Sequence, residues 1–67
     1  MAVARVTEIS STSATSFEDA IKSGLQRANE TLRNVKSAWI KEQQVRVDGG
    51  SISEYQVNLL VTFVLDD

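Results

Sequence analysis

Trp39, the only tryptophan of the chain, and Gln56 have the side chains best suited to holding a small molecule. An indole face stacks on planar rings; base–aromatic stacking sets the scale at about 1–3 kcal/mol per ring. The same side chain also anchors subunit interfaces, where tryptophan is enriched. Gln56 both donates and accepts through one amide. That suits a ring edge with alternating donors and acceptors, or a hydrogen bond across a subunit boundary. Lys36, Lys41 and Arg46 are candidate phosphate contacts, since a phosphate in an acidic protein needs local positive charge. Their simpler role is that of solvated surface cations. Glu42, Asp48, Glu54, Asp66 and Asp67 offer oxygens to a hard cation such as calcium or magnesium. No loop that carries them has the spacing of a known cation motif, and solvated surface acids are the simpler reading.

Catalytic chemistry is poorly supplied. Histidine and cysteine are both absent, which removes the usual general base, thiolate nucleophiles and the commonest transition-metal ligands. The run Ser10-Ser11-Thr12-Ser13-Ala14-Thr15-Ser16 is rich in hydroxyls but has no base beside it. Gly49-Gly50 marks a turn and not a phosphate cradle, because no helix pattern follows it. The expectation is a protein that is not an enzyme.

Nine acidic residues stand against seven basic ones, a formal net charge of −2 with neither sign clustered. A nucleic-acid binder needs a basic face, and none is visible. No apolar run approaches the ~20 residues that span a bilayer. Met1-Ala2-Val3-Ala4-Arg5 lacks the basic-then-apolar layout of a signal peptide. The reading is a cytoplasmic protein with neither nucleic acid nor membrane as a partner.

The elements that must position Trp39 and Gln56 follow from periodicity. Val3–Ile9 reads as a strand, and the polar run after it leads into a helix. Ser16 is a suitable N-cap, with Glu18 and Asp19 placing negative charge in the first turn. Phe17, Ala20, Ile21, Gly24, Leu25, Ala28 and Leu32 form one apolar stripe at three- and four-residue steps, over a helix ending near Asn34. The small residues at 20, 24 and 28 predict close approach of whatever packs there. Ala38–Val47 and Glu54–Leu65 read as strands around the turn Asp48-Gly49-Gly50-Ser51. Ala38–Val47 does not alternate cleanly, which points to a bulge. In the last strand Tyr55, Val57, Leu59, Val61, Phe63 and Leu65 share the face that suits the helix stripe. Gln56, Asn58, Leu60, Thr62 and Val64 share the other, a mixed surface of the kind found at subunit interfaces or around ligands.

The fold class is therefore α+β: one domain over residues 1–67, in the order β-α-β-β, with a three-stranded antiparallel sheet against one helix. The sheet order is open at this point. A chain of 67 residues buries too little surface to be comfortably stable alone. With no cysteine for disulfides, oligomerisation is the remaining means of support.

The chain resembles the dodecins. The resemblance rests on Val6-Thr7-Glu8-Ile9, Ser16-Phe17-Glu18-Asp19-Ala20-Ile21, Ala28-Asn29-Glu30-Thr31-Leu32-Arg33-Asn34, Glu54-Tyr55-Gln56-Val57 and Val61-Thr62-Phe63, in that order and spacing. It implies a sheet wrapped around the helix, a hollow homododecamer, and storage or sequestration of a flavin, FMN or riboflavin. It further implies a stacking tryptophan on the second strand, a position that falls on Ser37 here, with Trp39 two residues on. The basic residue that meets the flavin phosphate in some members falls on Gln44. The glutamine that bonds the ring edge matches Gln56. Trp39, Gln56, Ser37, Gln44 and Arg46 are thus the candidate ligand-binding set. The alternative is a shell of the same shape without flavin, holding cations or other small ligands.

Overall fold

The computed structural model describes residues 3–65. Strand β1 (Ala4–Ser13) leads into helix α1 (Phe17–Thr31), then β2 (Val35–Asp48) and β3 (Ser51–Val64) form a long hairpin. Both β1 and β2 pair antiparallel with β3, so the sheet order is β1-β3-β2. The molecule measures 51 × 19 × 13 Å. Its long dimension matches the span of about 46 Å expected of fourteen extended residues.

β3 takes the centre because its alternation is the most apolar. Val57, Leu59 and Val61 are fully buried and meet Ala20 of the helix. Ile9, Phe17, Ile21, Leu25, Leu32, Val35 and Ala38 close around them. This is the pairing of helix stripe and sheet face that the periodicity predicts.

The helix starts where the sequence places it. Ser16 is in extended conformation, and its Oγ accepts from the Asp19 amide at 3.0 Å. The buried Ser13 adds a second tie, its hydroxyl donating to the Asp19 carboxylate at 2.6 Å and accepting from the Thr15 amide at 2.9 Å. At the other end the helix stops at Thr31, a turn short of Asn34. Leu32 is already extended although its amide still bonds the Ala28 carbonyl at 2.8 Å. Asn34 adopts a φ of 61°, a left-handed conformation that asparagine tolerates and a helix does not.

β1 runs four residues beyond the expected end at Ile9. Ser10, Ser11, Thr12 and Ser13 pair with Asn58, Val57, Gln56 and Tyr55. Their polarity conceals a strand whose helix-facing members are small because the helix passes so close. A Cβ on Gly24 would sit 2.9 Å from the Cβ of Ser11. The small-residue ridge at 20, 24 and 28 is buried, as its spacing implies.

β2 carries two one-residue bulges, at Lys36 and at Lys41, where it advances two residues against one on β3. Near the turn β3 supplies the extra residue, Ser53. β2 is an edge strand, and lysines at bulges are a recognised means of keeping an exposed edge from pairing further. The turn is closed by Gly49 and Gly50 at φ 58° and 80°. No described helix is long and apolar enough to cross a membrane.

Candidate functional site

One helix covers one side of a sheet. The opposite, outer side is made by Ala4, Val6, Glu8, Ser10 and Thr12 of β1. From β3 come Glu54, Gln56, Asn58, Leu60, Thr62 and Val64, and from β2 Ser37, Trp39, Glu42, Gln44 and Arg46. All five candidate residues therefore lie on one uncovered face. They do so because of the bulge at Lys41. Trp39 and Gln44 are an odd number of positions apart and would otherwise point to opposite sides.

The face divides into two regions. Trp39 lies opposite Leu60, and Ser37 opposite Thr62, with Val6 completing an apolar patch. Trp39 is 73% exposed there. Gln44 lies directly opposite Gln56, and Arg46 opposite Glu54, in a polar region nearer the turn. From Leu60 to Gln56 is four steps along β3, about 13 Å. The structure thus brings Gln44, Arg46 and Gln56 together and holds Trp39 and Ser37 apart from them on the same protomer.

Arg46 and Gln56 of the polar region are both engaged. Arg46 donates to Gln56 Oε1 at 2.9 Å and pairs with Glu54 at 3.1 Å. The Gln56 amide donates to Ser10 Oγ at 3.1 Å and to Asn58 Oδ1 at 3.4 Å. Asn58 in turn donates to Glu42 at 2.9 Å. Between the two regions Lys41 reaches across β3 to Glu8 at 3.3 Å. Lys36, the third candidate cation, lines a shallow cleft on the helix side with Leu25, Gln26 and Asn29.

Nothing in the sequence ties Ser10, Asn58, Glu8 and Glu42 into this network. Only Asn58 and its neighbours gave a signal, as polar residues on an otherwise apolar strand. Glu42 and Glu54 each serve another side chain, and Asp48 stands at the turn. Asp66 and Asp67 lie outside the described residues. Among the described residues no three carboxylates gather into a group that would hold a metal ion. A cleft of about 460 Å³ lies on the helix side of the sheet. It opens between β1 and α1 beside Thr7, Ser11, Gly24 and Ala28.

A single helix on a three-stranded antiparallel sheet, in the order β-α-β-β and with an aromatic and an amide displayed on the bare side, defines the class as a small α+β protein. The family model described as Dodecin matches residues 3–66. The calcium dodecin of Mycobacterium tuberculosis is 35% identical over 63 residues, covering 94% of this chain and 89% of that protein. The solved structure of that calcium-chelating protein superposes with a TM-score of 0.82 over 96% of this chain and 91% of its own. The dodecin of Streptomyces davaonensis superposes with a TM-score of 0.94 at 35% identity, over 98% of this chain and 97% of its own. The chain belongs to the dodecin family.

Proposed function

We propose that this chain binds and sequesters a flavin, FMN or riboflavin, in a hollow homododecamer, and turns over no substrate. The observation that carries the reading is Trp39, which stands exposed on a face its own helix leaves bare. Aromatic side chains bury about 150–250 Å² when covered, so an indole left in water is a strong anchor waiting for a partner. A planar ring laid on Trp39 also meets Leu60 beside it.

The separation of Trp39 from Gln56 shapes the mechanism. A ring stacked on Trp39 of one copy meets Gln56 when the outer face of a second copy is laid against it. Gln56 Oε1 uses one lone pair on Arg46 and keeps another for a ring N–H. Its amide can exchange Ser10 or Asn58 for a ring carbonyl without losing a bond. Two indoles facing across the copies would enclose the stacked rings, quench them and keep light-driven chemistry from reaching other molecules. Ser37 adds a hydroxyl at the edge of the patch, and Gln44 a second amide beside Gln56.

A second reading is a shell of the same shape that holds cations or other small ligands. Ser37 at the position where the family's stacking tryptophan is expected favours it, as does the calcium-chelating relative. Native mass spectrometry of protein purified without added ligand separates the two. A twelve-subunit ion carrying several flavin masses is the expected result. A twelve-subunit ion without flavin, which also ignores added FMN and riboflavin, would retire the flavin reading in favour of the second.

A further inference from the structure

We propose that Glu54 sets the ligand preference of the outer face, neutralising Arg46 so that an uncharged flavin is preferred to its phosphate ester. The inference rests on the flavin reading above and adds to it which flavin is held. Among the described residues, the charged side chains of this face are Glu8, Lys41, Glu42, Arg46 and Glu54. Lys41 is taken by Glu8 at 3.3 Å and Arg46 by Glu54 at 3.1 Å. Among the described residues Glu42 accepts only from Asn58 and has no cation opposite it. Three carboxylates against two cations leave the face negative, and a second copy laid on it brings the same set again.

A phosphate bound here needs a guanidinium or ammonium group free to meet it. Arg46 offers a phosphate an unneutralised charge only by leaving Glu54, and turning its guanidinium away also breaks its bond to the amide oxygen of Gln56. Leaving Gln56 also disturbs the group that fixes the ring edge. The glutamine at position 44, where the resemblance implies a basic residue, supplies no charge in its place. A neutral ribityl chain asks for none of this, and the hydroxyls and amides of Ser10, Gln44 and Asn58 suit it.

The test is a fluorescence-quenching titration of the assembled protein with riboflavin and with FMN, repeated on Glu54→Gln. The parent is expected to bind riboflavin at least as tightly as FMN. Both partners of the Arg46–Glu54 pair are partly exposed, so Glu54→Gln should move the affinity ratio toward FMN by about fivefold. That gain should fade in high salt. Adding Arg46→Gln to Glu54→Gln should return the ratio to the parent's, which identifies the freed cation. A parent that prefers FMN tenfold or more, or a ratio untouched by Glu54→Gln, would overturn the proposal while leaving flavin binding intact. A parent that binds neither ligand would overturn the flavin reading and this inference together.

Discussion

Lys41 on one edge strand meets Glu8 on the other, Nζ to Oε1 3.3 Å, reaching over the central strand on the outer face. Lys41 is also the residue that β2 inserts between the partners of Leu59 and Asn58. The bulge sends its side chain to the same side as Trp39 and sets the facing of everything between it and the turn.

The ion pair is a consequence of that bulge rather than its cause. Both side chains are 47% exposed, and exposed pairs are worth about 0.2–1 kcal/mol. Lys41→Ala should therefore lower stability by less than about 1 kcal/mol in denaturant unfolding. The Trp39 emission maximum should stay where it is. A large shift would mean that the pair holds the strand register.

Gly24 is expected to resist enlargement. Alanine gains about 1 kcal/mol of helix propensity, but forcing extra volume into a packed contact costs about 1–3 kcal/mol. Here the added methyl meets the Cβ of Ser11 at 2.9 Å, an atom fixed to the strand backbone. Gly24→Ala should be net destabilising by about 1 kcal/mol, and Ser11→Gly in the same chain should remove the clash term. Equal unfolding midpoints for parent and Gly24→Ala would show that the helix moves away freely.

The helix start should be sensitive at two hydroxyls. Ser16→Ala loses the cap on the Asp19 amide, a cost of about 1 kcal/mol. Ser13→Ala should cost about as much or more, because it strips the Thr15 amide and the Asp19 carboxylate together in a buried place. Unfolding curves of the two variants check the order.

Trp39→Ala should weaken flavin binding by tenfold or more, about the worth of one lost stacking contact. Trp39 contributes nothing to the buried core of its own subunit, so the fold should persist. Fluorescence titration with native mass spectrometry reads both effects. Undiminished binding would remove Trp39 from the stacking role.

Much of this architecture was legible in the residues. The 3.6-residue stripe from Phe17 to Leu32 and the strict alternation of Tyr55 to Phe63 each specify one apolar face, and two such faces bury each other. Ser16 and the glycine pair mark their boundaries by local hydrogen bonding and positive φ, which depend on near neighbours alone. Residues 10–13 do not show themselves as strand in the sequence because their strand character is imposed from outside. The backbone bonds come from β3, and the small side chains are demanded by the passing helix.

Trp39 and the uncovered face were likewise identifiable as candidates from residue type and pattern, and Gln56 from the resemblance to the family. That the face also holds Gln44 and Arg46 alongside Trp39, and that Glu54 claims Arg46, was decided only by the tertiary structure. A single inserted residue inverts the alternation of a strand, and nothing local to Ile40-Lys41-Glu42 announces where the insertion falls. The bulge position is fixed by register against β3, and register is set by the burial of Val57, Leu59 and Val61 beneath the helix. The sequence by itself determined the elements and the candidate residues; the packed sheet determined which of them share a surface, because long-range pairing alone settles strand register.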